Sequence, residues 1–315
     1  MNQQLPFGKQ RPEASLLDYC KALPQYLLPH HLLSRGMHWL ARQETPWLKN
    51  LIIRFICKKF DIDMSCAVEQ DPLAYASFNK FFTRELQADA RPITSEPQRL
   101  ACPVDGCVSQ AGLIAEHAQP GSLPLQDIFQ AKGHYYSLEE LLGGDRDRAM
   151  PFVGGHFATI YLSPRDYHRI HIPADAQLRE MVHIPGRLFS VNPATTRAVP
   201  SLFARNERVA CIFDTEYGPM AVVMVGAIFV SSIETVWAGE VTPPSHREVR
   251  SWHYQEGQHV FRKGDEIGRF NMGSTVVVLF GPNMISWANH VRADQTVQMG
   301  EPLAELNPAL IKEED

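Results

Sequence analysis

Residues 269–280 read "RFNMGSTVVVLF". The β-branched and apolar run from Thr275 to Phe280 predicts a strand, and Gly273 and Ser274 in front of it predict a tight turn at its entrance. The pair places a hydroxyl directly behind a glycine, at the mouth of an apolar element. A Gly-Ser turn is common by itself, so the meaning of this one depends on what the rest of the chain can bring to it.

Outward from this stretch, most of the chain beyond about residue 100 has the same texture. Short runs such as "FATIYL", "RVACIF" and "AVVMVGAIFV" alternate with Gly and Pro, which predicts a mostly β region. "PVDGCVSQAG" and "EGQHVFRKGDEIGRF" resemble the turns of a barrel-sandwich hybrid, with Gly supplying positive φ. Residues 14 to 60 differ. In "WLKNLIIRFICKKF" the residues Trp47, Leu48, Leu51, Ile52, Phe55 and Ile56 recur at helical spacing, while Lys49, Arg54, Lys58 and Lys59 lie mainly off that stripe. Between His30 and Phe60 six Lys or Arg face one acid, Glu44, a local balance of +5 in a chain of net charge -5. Such a helix can lie in the headgroup plane of an anionic bilayer, or pack on the protein's own core with a solvated basic face. The Leu, Tyr and Trp of "SLLDYCKALPQYLLPHHLLSRGMHWLAR" favour the membrane. Residues 72 to 93 predict one more helix and a linker, ended by Pro92. The expected architecture is α+β: membrane-associating helices over residues 1–92, then a mostly β, barrel-sandwich-hybrid-like catalytic core over 93–315.

Composition narrows the function. With 44% hydrophobic and 21% charged residues, the 315-residue chain can bury a sizeable core. The acidic balance and the absence of zinc-finger or RNA-binding motifs argue against nucleic acid as a partner. Six dispersed cysteines without a C-x-x-C pair predict thiols in a reducing compartment. The N-terminus lacks a signal-peptide core, and the longest uncharged apolar stretch, residues 271–291, is broken by Gly, Pro and Asn.

Three further residues carry chemistry. Asp105 sits in "CPVDGCV", where an aspartate before a glycine is also an ordinary turn residue. His168 and His171 lie three apart in "YLSPRDYHRIHIP"; they share a face on a helical turn and oppose each other on a strand. No H-E-x-x-H and no third ligand at metal spacing accompanies them, so no metal is expected. A histidine between an acid and a hydroxyl is instead a general-base arrangement.

The ordered set P-V-D-G, Y-L-S-P-R-D-Y-H-R-I-H, "PGRLFSVNP", "LFARNERV", "FDTEYGPMAVVMVGA", "IETVWAG" and M-G-S-T resembles the phosphatidylserine decarboxylase proenzymes. "FNKFFTREL" and "QAKGHYYSL" extend the resemblance from the N-terminal helices almost to residue 305. It implies that the chain cuts itself between Gly273 and Ser274 into residues 1–273 and 274–315, a heterodimer of its own two chains that can dimerise further. Ser274 becomes a covalent pyruvoyl group, the pyruvate cofactor, with Asp105, His171 and Ser274 as the triad for cutting and His168 serving decarboxylation. That group forms an imine with phosphatidylserine and releases CO₂ to give phosphatidylethanolamine. The implied location is the cytoplasmic face of the bacterial inner membrane, as a peripheral protein on an anionic surface. Met272, where leucine is more usual, is the one departure near the junction. His134 lies in a family motif without an assigned role. Two rival readings remain: a hydrolase using Ser274, His171 and Asp105 on an external ester or amide, and a lipoyl-like carrier displaying Lys263.

Overall fold

The computed structural model describes residues 14–117, 125–131, 134–228, 230, 232–243, 247–272 and 275–310. The strand Thr275–Phe280 forms, and all six of its residues are buried. It lies inside a nine-stranded antiparallel sheet. The order is Arg250–His253, Ala176–Ile184, Arg208–Thr215, Gly218–Val225, Thr275–Phe280, His156–Tyr161, Gly106–Leu113, Thr296–Val297, with Val260–Phe261 also pairing Ala176–Ile184. A strand paired on both edges and covered on both faces has no solvent side, which is why its sequence is an unbroken apolar run. Thr275 stands opposite Tyr161 on one flank and Val225 on the other.

A four-stranded sheet, ordered Gly239–Glu240, Ile233–Thr235, Glu266–Phe270, Arg169–His171, leads into that strand. The chain leaves it at Phe270 and passes through residues 271–274 into the middle of the larger sheet. The Gly-Ser pair therefore connects two sheets. Gly273 and Ser274 themselves lie outside the described residues.

Four helices precede the sheets: α1 (Leu16–Ala22), α2 (His30–Ala41), α3 (Pro46–Phe60) and α4 (Phe78–Phe82). Ser15 starts α1 with a reciprocal capping box to Asp18, and Pro46 starts α3, where its missing N–H costs nothing. Polar straps tie the chain from α1 to the start of α2 to residues 188–197, which connect strands Ala176–Ile184 and Arg208–Thr215. Asp18 receives Arg197 at 2.8 and 3.0 Å, Gln25 accepts from Ser190 N at 2.8 Å, and His30 Nδ1 accepts from Leu188 N at 3.1 Å.

The apolar stripe expected on α3 splits in two. Ile53 is buried, and Ile52, Ile56 and Cys57 pack on Phe78, Phe81 and Phe82. Trp47, Leu51 and Phe55 stay 70, 62 and 60% exposed. Lys49 turns inward, donating to the Leu73 carbonyl at 2.7 Å and to Asn50 Oδ1 at 2.9 Å. No helix among the described residues is long and apolar enough to cross a membrane.

Of residues 72 to 93, expected as one helix and a linker, the helix is the single turn α4 and the rest is non-helical. Ser77 caps it by accepting from Lys80 N, which fixes its start. After Thr83 the chain departs, because the Arg84 guanidinium is drawn inward to the Arg165 carbonyl at 2.9 Å and Leu86 forms a β-bridge with Ala67. Tertiary contacts outweigh a helical pattern that only "FNKFF" sustains.

Candidate active site

Asp105, His168 and His171 gather where the two sheets meet. Asp105 precedes the strand Gly106–Leu113, which runs beside His156–Tyr161, which in turn runs beside Thr275–Phe280. Cys107, Tyr161 and Thr275 are aligned across these three strands, so Asp105 and the junction reach the same end of the sheet. Gly106 makes the approach possible: a Cβ there would stand 2.5 Å from the Tyr161 carbonyl oxygen. The Asp105 carboxylate is held by Arg91, whose Nε donates at 2.9 and 3.1 Å and Nη2 at 2.6 Å, and by Met299 N at 2.8 Å.

His171 ends the strand Arg169–His171, opposite Glu266. Its Nδ1 lies 2.7 Å from the Gly264 carbonyl, and a carbonyl only accepts, so Nδ1 carries the proton. The acceptor is then Nε2, 3.3 Å from the Tyr167 hydroxyl. Burial pushes the Tyr167 phenol up to about 12, so it remains an O–H donor to that nitrogen. The Gly264 carbonyl reaches His171 from a turn with φ +92°, a conformation a side chain would strain. Burial holds the His171 pKa below the ordinary imidazole value, and the Gly264 carbonyl, Glu266 and Asp105 oppose the shift. Asp105 thus acts on His171 through charge, while its hydrogen bonds go to Arg91 and Met299.

His168 occupies the loop before the same strand and is completely buried. Its ring packs on Phe82 at 4.1 Å between centroids, and its backbone carbonyl accepts from Phe270 N at 3.0 Å. Nδ1 donates to the Asp166 carbonyl at 2.7 Å, so Nε2 is bare and without a hydrogen-bond partner. Burial pushes the His168 pKa down to about 3, the Asp166 carbonyl opposing and the nearby Arg84 charge adding to the fall. The two histidines therefore share neither a helix face nor a strand: one faces Phe82, the other Tyr167 and Gly264.

Met272 packs against the cluster of Phe78, Phe81 and Phe82, so the helical region touches the residue beside the junction. Next to it opens an apolar cavity of about 350 Å³, lined among others by Phe82, Tyr161, Val191, Ile228 and Met272, with Lys59 at its rim. Among the described residues, His168 Nε2 and Thr275 Oγ1, the latter next in the chain to the junction, are buried polar atoms without hydrogen-bond partners. Buried polar atoms need a partner, and a small polar group made from Ser274 is of the right kind.

Arg91, Tyr167 and Gly264 escape the sequence reading. Arg91 lies in what reads as a linker, and Gly264 in what reads as a hairpin turn. Tyr167 adjoins His168 in the quoted motif, and an aromatic hydroxyl four residues before a candidate base is the signal that could have found it. His134 begins the strand His134–Ser137, which belongs to a separate three-stranded sheet.

With this geometry in hand, comparison with known proteins is decisive. A family model described as phosphatidylserine decarboxylase matches residues 78–305, and a second, described as PSD, matches residues 20–61. The chain belongs to the phosphatidylserine decarboxylase family. It is 57% identical over 283 residues to a phosphatidylserine decarboxylase proenzyme of Bordetella pertussis, spanning 89% of this chain and 92% of that one. A proenzyme of the same name from Ectopseudomonas mendocina is 55% identical over 284 residues, 89% of this chain and 96% of the relative. One from Pseudomonas fluorescens is 54% identical over 288 residues, 90% and 97%. As a member of this family the chain is a carboxy-lyase made as a proenzyme.

Proposed function

We propose that the chain cuts itself between Gly273 and Ser274, retains the new amino terminus as a pyruvoyl group, and decarboxylates phosphatidylserine to phosphatidylethanolamine at a membrane surface. The observation that carries this reading is His168, a fully buried imidazole whose Nε2 has no hydrogen-bond partner among the described residues.

For cutting, Nε2 of His171 takes the Ser274 hydroxyl proton, with the tautomer held by the Gly264 carbonyl. Tyr167 keeps that nitrogen hydrogen-bonded and moves aside for the serine. Asp105, fixed by Arg91, favours the imidazolium through its charge. The oxygen of Ser274 attacks the Gly273 carbonyl, which a glycine leaves unobstructed, and the C–N bond between them breaks to give an ester; loss of the Ser274 α-proton then expels the Gly273 carboxylate, and hydrolysis of the resulting dehydroalanine releases ammonia and leaves the ketone.

In turnover, the pyruvoyl group supplies an electron sink for the pair left when CO₂ departs. His168 manages the proton. With Nδ1 committed to the Asp166 carbonyl, Nε2 is the atom through which His168 delivers a proton to the carbon that lost CO₂. The apolar cavity excludes water from that carbon. The exposed residues of α1 to α3 seat the site on the cytoplasmic face of the inner membrane as a peripheral protein.

A carrier role is disfavoured, because Lys263 Nζ is engaged by the carbonyls of Glu96 and Arg99 at 2.9 and 3.2 Å rather than displayed. The test is the intact mass of the purified protein together with CO₂ release. Two chains, 1–273 and a hydrazine-reactive 274–315, are expected. Ser274→Ala and His171→Ala leave one chain, whereas His168→Ala cuts and fails to turn over. A full-length wild-type chain labelled by a fluorophosphonate would favour the hydrolase instead.

A further inference from the structure

From the cavity beside Met272 we infer that Lys59 holds the phosphodiester of the lipid headgroup and so sets the enzyme's affinity for its substrate; this rests on the function proposed above. Among the described residues that line the cavity, Lys59 is the only charged one. Its Nζ lies 5.3 Å from the ring centroid of Phe60, a cavity-lining residue, and 5.5 Å from that of Phe55, which faces outward on the stripe with Trp47 and Leu51. The ammonium thus stands between the cavity wall and the apolar surface of α3. A glycerophospholipid entering with its tails along that surface carries its phosphate past this point, and two aromatic faces hold the cation there without neutralising it.

The headgroup of phosphatidylserine offers two anions, a phosphodiester and a carboxylate. A cation on the carboxylate would stabilise the ground state of the group that must leave as neutral CO₂, and so slow the reaction. A cation on the phosphodiester contributes equally before and after CO₂ loss, which is uniform binding. The phosphodiester is therefore the partner. The cavity lining beside Met272 agrees: Phe82, Tyr161, Val191, Ile228 and Met272 carry no charge.

The experiment uses the full chain carrying Lys59→Gln or Lys59→Arg, with dibutyroyl phosphatidylserine as a monomeric substrate and dibutyroyl phosphatidylethanolamine as a competing product. Lys59 is solvent-exposed, so neither substitution disturbs packing. Lys59→Gln is expected to raise the substrate KM and the product Ki together by roughly five- to tenfold, a charge-assisted contact discounted for exposure, with kcat nearly unchanged. Lys59→Arg restores both. A rise in KM without a rise in Ki would move the ammonium to the carboxylate and overturn the proposal. Unchanged constants would overturn it too, and so would an effect seen only with anionic vesicles, which would assign Lys59 to the bilayer. Self-cleavage does not involve the lipid, so both variants should be fully cut. A wild-type chain that stays whole or releases no CO₂ would sink the proposed function instead.

Discussion

At the scale of single residues, the site depends on keeping His168 neutral. Its Nδ1 proton is fixed by the Asp166 carbonyl, and burial places its pKa at about 3, against an ordinary 6.5 in the unfolded chain. A depressed histidine pKa means that the unfolded state takes up a proton the folded state refuses. The stability associated with the neutral ring is thus present above pH 6.5 and is lost as pH falls from 6.5 towards 3. In the uncut Ser274→Ala background, which keeps unfolding a one-chain process, urea midpoints measured from pH 7 to 4 should fall less steeply once His168→Gln is added. Parallel slopes would show that His168 titrates normally in the folded protein. Sequence could name this residue, since the Y-H-R-I-H motif carries it. It could not give its protonation, which comes from Phe82 and Arg84, more than 80 positions away in the chain. The orientation of His171 was equally hidden, because it depends on a carbonyl 93 residues downstream.

At the scale of elements, the lesson concerns which periodicities survive packing. The strand Thr275–Phe280 was legible because six buried residues in a row have few other places to go. Within residues 72 to 93 the division between helix and linker was less legible, because one turn of "FNKFF" continues into a segment whose Arg84 and Leu86 are pulled elsewhere. What remains, α4, links α3 to the site: Phe82 touches His168, and the cluster of Phe78, Phe81 and Phe82 receives both Ile56 of α3 and Met272. Phe81 is 0% exposed, and Phe81→Ala should destabilise the chain by about 3–5 kcal/mol through lost burial and a cavity. Chemical denaturation of the same uncut background measures this. A change under about 1 kcal/mol would mean that α4 lies on the core without supporting it.

At the scale of the whole molecule, the two readings of the basic amphipathic helix prove compatible. One edge of α3 packs inward through Ile53 and Ile56, and the other leaves Trp47, Leu51 and Phe55 in solvent. Leu16, Leu17, Leu27, Leu32 and Trp39 on the preceding helical segments are exposed as well. A concentration of large apolar side chains on these helical segments, with Lys58 beside it, suits an anionic bilayer, where rings and aliphatic chains enter the interface and cations meet lipid phosphates. Removing residues 14 to 60 would not isolate this property, since it would also strip Ile53 from the core and Asp18 and Gln25 from their straps. The sharper variant is Trp47→Ser combined with Leu51→Ser, which alters only outward-facing side chains and spares Phe55, the ring beside Lys59. Its sedimentation with anionic vesicles should fall by about tenfold or more, given roughly 1.5–3 kcal/mol for fully burying each such side chain and only part of that at an interface. Self-cleavage and turnover of monomeric short-chain lipid should persist. Undiminished vesicle binding would place the membrane contact elsewhere on the molecule, and loss of cleavage would show that this edge of α3 supports the fold as well as the docking.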